Sequence, residues 1–139
     1  MHTHTAEVRV RYQETDQMGV VYYGNYYTWF EVGRNEFFRD IGKDCMLLEK
    51  QGIYMPVIES QCKYKHGARY DDEVVIQTTV EEITGAKIEF YYRLLRKTDK
   101  MILAEGKTIH GFVDKDFRPI RLKRIHPELW KMLNNCVKK

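Results

Sequence analysis

Helical periodicity occupies one long stretch of this chain, and nearly everything after it alternates with the period of a strand. Tyr26, Phe30, Gly33, Phe37 and Ile41 recur at spacings of four and three, which predicts one apolar stripe of a long helix. Trp29 and Phe38 flank that stripe, and Gly42 is placed to stop the helix at its C′ position. Before it, Val8, Val10 and Tyr12 alternate with Glu7, Arg9 and Arg11, the pattern of a half-buried strand. After it, an irregular stretch over 43–52 leaves room for a second short helix, and the apolar segment 53–64 is interrupted by Pro56, as at a sheet edge. Val74, Ile76, Thr78 and Val80 then alternate, as do Ile88, Phe90, Tyr92 and Leu94, with turn residues at Thr84-Gly85 and Thr98-Asp99. A long strand over 101–113 contains Gly106, which suggests a bulge or a close backbone approach. Pro127 can open a final helix whose Leu129, Met132, Leu133 and Cys136 share one face.

This order predicts an α+β domain: a strand, one long helix, about four strands in an antiparallel meander, and a short C-terminal helix. At 139 residues the chain, 1–139, is expected to form a single domain with a core of its own. One helix can cover only one face of the sheet, so the uncovered face and edge point to self-association. With 43% hydrophobic and 31% charged residues, disorder and fibrous classes are excluded. No apolar run reaches the roughly 18 residues of a membrane span, and the first residues carry no signal-peptide pattern. Cys45, Cys62 and Cys136 form an odd set without a CxxC, which fits reduced thiols and a cytoplasmic location.

The net charge of +3 is unevenly spread: residues 115–139 hold eight basic and two acidic side chains. Arg118, Arg121, Lys123 and Arg124 form its densest cluster, which suits a phosphate-bearing partner or a solvated surface. Metal chemistry is not expected, because no His/Cys/Asp cluster has ligand spacing, and His2 and His4 sit in a terminus expected to fray. Ser60 is the lone serine and lacks a nucleophile-elbow context, so a serine hydrolase is not expected.

The segment that carries chemistry is Tyr12-Gln-Glu-Thr-Asp16-Gln-Met-Gly19-Val-Val-Tyr-Tyr23-Gly24-Asn25-Tyr26. A carboxylate just ahead of a glycine turn leads into a helix N-terminus, where unpaired N–H groups could polarise a carbonyl. Asp16 could then attack that carbonyl or deprotonate a water beside it; on pattern alone a turn role for Asp16 stays open. Asn25 stands where it would cap the helix or touch substrate. Glu31 reads as a structural or interface carboxylate, Arg69-Tyr70-Asp71-Asp72 as a turn, and His110 as a packed or surface histidine.

Glu14-Thr15-Asp16, Gly19-Val20-Val21-Tyr22-Tyr23, Asn25-Tyr26 and Ala68-Arg69-Tyr70-Asp71-Asp72 together resemble the signature of the hot-dog-fold acyl-CoA thioesterases. The resemblance is to the branch of 4-hydroxybenzoyl-CoA thioesterase and the Tol-Pal-associated acyl-CoA thioesterases. It implies a hot-dog fold, with an antiparallel sheet wrapped around one long helix, and hydrolysis of an acyl-CoA to acid and CoA. It implies Asp16 as the catalytic carboxylate and the backbone N–H of Tyr23, with Gly24, at the helix start as the carbonyl-binding group. It further implies a dimer of hot dogs, doubled to a tetramer, with no cofactor. Many relatives carry His at the Tyr23 position, so only the backbone role carries over. They commonly read Pro-Ala where this chain has His66-Gly67-Ala68, so that loop's share in substrate binding does not carry over.

So small a site suits a thioester, because a thiolate of pKa about 8.5 leaves without a strong acid or metal. On this reading the cluster Arg118, Arg121, Lys123 and Arg124, with Asn25, contacts the substrate, the cations holding the CoA phosphates. A hot-dog dehydratase or hydratase is the alternative within the fold, and a non-catalytic acyl- or nucleic-acid-binding module is the alternative outside it. No His–carboxylate pairing on the helix favours the first, and no RNP or zinc-knuckle pattern favours nucleic acid.

Overall fold

The computed structural model describes residues 2–137. Strand β1 (Thr3–Arg9) and a 3-10 turn (Tyr12–Glu14) lead to the long helix α1 (Asn25–Asp40) and the short α2 (Cys45–Lys50). Strands β2 (Val57–Tyr64), β3 (Glu73–Ile83), β4 (Lys87–Arg96) and β5 (Ile102–Gly111) follow, then α3 (Leu122–Ile125) and α4 (Pro127–Asn135). The five strands form one antiparallel sheet in the order β1-β3-β4-β5-β2. This is the α+β arrangement expected, with one correction. Only β3, β4 and β5 form a meander; β2 crosses to the far edge and pairs with β5. Alternation and turns are local, and neither says which edge a strand joins.

Most of the predicted inward faces are buried, but Tyr12, read as part of the first strand's inward set, lies in the 3-10 turn and is 75% exposed. Val74, Ile76 and Val80 of β3 and Ile88, Phe90, Tyr92 and Leu94 of β4 are buried on the face that meets α1. From α1, Tyr26, Trp29, Phe30, Gly33, Phe37 and Phe38 are buried. Phe30 stacks on Tyr92 with ring centroids 4.4 Å apart, and Phe37 meets Phe90 edge-on at 5.8 Å. The helix can come this close because two residues at the crossing lack a Cβ. A Cβ on Gly33 would stand 2.5 Å from Thr78 Oγ1, and one on Gly106 would stand 2.4 Å from the Gln61 carbonyl and 2.5 Å from the Phe30 ring. Gly106 therefore marks a close approach.

Helix α1 ends as a Schellman motif: the Gly42 N–H donates to Arg39 O and the Lys43 N–H to Phe38 O. Asp44 caps α2 by accepting from the Leu47 N–H at 3.0 Å. Pro127 opens α4, and His126 Nδ1 caps it by accepting from the Leu129 N–H. His110 is buried, its ring bonded to Met55 O at 2.9 Å and Thr108 Oγ1 at 2.8 Å. Burial and the nearby Arg34 guanidinium bring its pKa down to about 4, so it is a neutral core residue and not a base in a cleft.

Candidate active site

Residues 14–22 fold back as a tight loop fastened at both ends. The Asp16 N–H donates to Val20 O at 2.9 Å and the Tyr22 N–H to Glu14 O at 2.9 Å, while the Val21 N–H reaches across to Ala68 O at 2.8 Å. Gly19 turns the loop with φ +81°, a region that costs a residue with a Cβ. Asp16 Oδ1 accepts the Met18 N–H at 2.8 Å, an Asx turn that fixes the carboxylate's direction. Its second oxygen accepts no bond among the described residues.

Beyond the loop the chain enters α1 through a tight turn in which the Asn25 N–H donates to Tyr22 O and the Tyr26 N–H to Tyr23 O. The N–H groups of Tyr23 and Gly24 have no acceptor among the described residues. These are the orphan donors of a helix start, at the positive end of its macrodipole. Asp16, Val21, Tyr23, Tyr26, Tyr64 and Lys65 line one open cleft of about 240 Å³. Asp16, with a carboxylate oxygen that has no partner among the described residues, and Tyr23, whose main-chain N–H has no acceptor among them, thus line one cavity. That pairing suits a reaction that develops negative charge on a carbonyl oxygen.

Two sequence readings change here. Asn25 does not cap α1: Gly24 is the N-cap, and Asn25 Nδ2 instead donates to Glu14 O at 2.9 Å. The cluster Arg118, Arg121, Lys123 and Arg124 is exposed as anticipated, but the structure does not bring it together with Asp16 in one chain. The Leu122 N–H bonds Gly85 O in the β3–β4 turn, whereas the Asp16 loop is tied to residues 67–72 beside the start of β3. The length of β3, 11 residues or about 35 Å, lies between the two ends. Cations near the cleft include Lys65, in its lining, and Arg69, whose Nη1 meets Gly19 O at 3.5 Å. Lys138 and Lys139 of the basic segment lie outside the described residues.

Glu31 is exposed and borders a second cleft with Arg34, Asn35, Cys45, Leu48 and Glu49. In the 67–72 segment Arg96 Nη2 donates to Gly67 O and Arg96 Nε to Asp72 Oδ2 at 3.1 Å, so the turn is braced from β4. The Tyr26 hydroxyl accepts the Ala68 N–H at 3.3 Å, and burial pushes its pKa up. Tyr64 points its hydroxyl at Tyr23 O, and desolvation raises its pKa too, so the Tyr26 and Tyr64 phenols stay protonated.

The residue the sequence did not single out is Glu14. It is 7% exposed, and its carboxylate accepts the Arg11 N–H at 2.8 Å and the Trp29 Nε1–H at 3.3 Å. Its carbonyl holds both Tyr22 and Asn25, so this residue ties the loop to α1 from two sides. The spacing of Glu14 and Trp29 carries no period that would have marked the pair.

Comparison with known proteins follows the same lines. The model of the thioesterase-like superfamily matches residues 10–133, most of the chain. The chain belongs to the thioesterase-like superfamily. Within this superfamily it is 35% identical over 129 residues to YneP of Bacillus subtilis (strain 168), provisionally named an acyl-CoA thioesterase, covering 92% of this chain and 93% of that one. It is 39% identical over 92 residues to the acyl-CoA thioesterase YbgC of Haemophilus influenzae, 66% of this chain and 68% of that protein. Among solved structures, the DHNA-CoA thioesterase of Staphylococcus aureus superposes with a TM-score of 0.90 at 34% identity, over 97% of this chain and 90% of that one. These neighbours have the hot-dog fold, and the sheet and helices of this thioesterase-like chain match it. No helix among the described residues is long and apolar enough to cross a membrane.

Glu14→Gln tests the clamp. A glutamine is neutral and accepts with one oxygen only, so one of the two donors loses its acceptor and the other keeps an uncharged one. The variant is expected to lose about 1.5–3 kcal/mol of stability in urea denaturation, and wild-type stability would show the clamp to be idle.

Proposed function

We propose that this protein is an acyl-CoA thioesterase in which Asp16 and the helix-entry N–H groups act on one thioester. The observation that carries this reading is the shared cleft: Asp16 and Tyr23, whose main-chain N–H has no acceptor among the described residues, line the same cavity. The thioester oxygen docks at the N–H groups of Tyr23 and Gly24, which stabilise the oxyanion as it forms. Asp16 attacks the carbonyl carbon or takes a proton from the attacking water. The new C–O bond forms, the C–S bond breaks, and the CoA thiolate leaves and is protonated. Where Asp16 is the nucleophile, water then cleaves the acyl–aspartyl anhydride to release the acid and restore the carboxylate. Where it is the base, it returns its proton to the thiolate or to solvent. The names of YneP and YbgC and the motif residues at 14–16, 19–23 and 68–72 support this activity. The same motifs carry the finer placement beside 4-hydroxybenzoyl-CoA and Tol-Pal-associated thioesterases. The three free cysteines suit a reducing cytoplasm.

The chain works as a dimer of hot dogs, paired again to a tetramer. Strand β2 is an open sheet edge, and Val57 and Ile58 on it are 52% and 53% exposed. It ends at Tyr64, in the cleft, so a second chain along this edge would supply the cleft's missing wall. Sedimentation of active enzyme at working concentration is expected to give an oligomer; an active monomer would refute the shared site.

Asp16→Asn separates the two roles of that residue. Asparagine can still accept the Met18 N–H, so a turn residue would tolerate the change. As a base or nucleophile it should lose about 100-fold or more in turnover, measured by thiol release from acyl-CoA, with the melting temperature near wild type. Activity within a few-fold of wild type would sink the assignment.

The phosphates of CoA fall to cations at the cleft rim. Lys65→Ala with Arg69→Ala should raise KM for acyl-CoA and flatten its salt dependence, while a short thioester without the nucleotide is turned over unchanged. If Arg121→Ala with Arg124→Ala gives that pattern instead, the far cluster serves a neighbouring subunit's site.

A further inference from the structure

The N-terminal histidines do not sit in a loose tail. His4 belongs to β1, which pairs with β3 from Thr3↔Thr79 onward, and the His2 N–H donates to Cys136 O. Residues two apart on a strand project to one side, and His4, Ala6 and Val8 are the half-buried set of β1 on the α1 face. His2 falls on the same side, with its ring edge-on to Phe37 at 5.3 Å. Opposite both stands Asp40, the last residue of α1. Its Oδ2 lies 2.9 Å from His2 Nε2 and 3.7 Å from His4 Nδ1, and one ligand atom from each of the three residues falls within 4.8 Å of the others.

Three observations point beyond an ion pair. His2 Nε2 is shut off from solvent and close to the carboxylate, yet it makes no aligned hydrogen bond with it. The ring nitrogen is thus 2.9 Å from the carboxylate oxygen without being aimed at it. Second, Asp40 places a negative charge at the negative end of the α1 macrodipole, where an anion is disfavoured unless a cation faces it. Third, nitrogen and oxygen ligands about 2.0–2.2 Å from a tetrahedral ion stand about 3.3 Å apart, and the observed separations bracket that value. Among the described residues no other set of three histidine, cysteine or carboxylate side chains converges in this way.

We propose that His2, His4 and Asp40 form a binding site for a borderline divalent transition cation, with Zn²⁺ the fitting case. Two imidazoles and a carboxylate suit such an ion and leave one position for water. The ion pins the first strand to the end of the long helix, about one helix length, or roughly 22 Å, from the helix start beside Asp16. It is a staple, remote from the thioester site and independent of it.

The test uses untagged, full-length protein stripped of metal. Co²⁺ titration is expected to give visible d–d absorption saturating at one ion per chain, with Zn²⁺ bleaching it by displacement. Zn²⁺ at a hundredfold excess over Kd should raise the melting temperature by about 10 °C. His4→Gln and Asp40→Asn should each weaken Co²⁺ binding by about a hundredfold or more, because even second-shell changes cost 10- to 100-fold. Metal-free melting temperatures of the two variants establish that each is folded, and a variant that fails this leaves the other to decide. Absence of stoichiometric binding in the wild type overturns the proposal. So does binding that persists undiminished in the folded variants, which would place the ion on His66, His126 or another surface group.

Discussion

The fold depends on how closely α1 lies against its sheet. A helix and a sheet normally meet through two layers of side chains. Here the absence of a Cβ at Gly33 and at Gly106 removes part of both layers at the crossing. Phe30 then lies flat on Tyr92 at 4.4 Å while its edge fills the space over Gly106. Tight interlocking of this kind leaves the helix one axial position, because overpacking by even one methyl group costs about 1–3 kcal/mol. The position matters since both ends of α1 carry polar groups that must meet partners on other elements.

At the N-terminal end those groups are the loop and the free donors. Trp29, one turn into the helix, hands its indole N–H to Glu14, and Glu14 in turn holds the loop that carries Asp16. The aromatic core and the polar loop are therefore coupled through one buried carboxylate. A donor at a helix start is effective in catalysis only if it is already aimed and has nothing else to bond. The N–H groups of Tyr23 and Gly24 have no acceptor among the described residues, and the bonds from Glu14 to Tyr22 and Asn25 fix the turn that carries them.

Charge is arranged along the length of the sheet. Near the start of β3 acidic and basic groups pair tightly, with Arg9 to Glu73, Lys97 to Glu7 and Arg96 to Asp72 and Asp99. Opposite charges lower the Glu73 carboxyl through Lys97 first, and backbone and guanidinium contacts lower Asp99. At the other end, around α3, the cations are exposed, and Lys123 lies over the Trp130 ring at 4.6 Å. The cluster Arg118, Arg121, Lys123 and Arg124 thus stands at the end remote from Asp16.

The sequence by itself determined the elements and their inward faces. Periods of 3.6 and 2 marked α1, β3 and β4 with the residues that prove buried, and Gly42 and Pro127 marked a helix end and a helix start. Each of these is local: it depends on residues within a turn or two, and local sterics and periodicity decide it. Tertiary structure alone decided the partners. It sent β2 past β3 to the edge beside β5, so the meander ended at three strands. It gave Asn25 to the Glu14 carbonyl in place of a cap, set Arg118 to Arg124 a full sheet length from Asp16, and drew His2 and His4 out of an expected frayed end onto Asp40. It also buried Glu14 against Trp29, 15 positions away. Contacts of that kind are fixed by which surfaces the close crossing of α1 brings together, and no spacing along the chain encodes them.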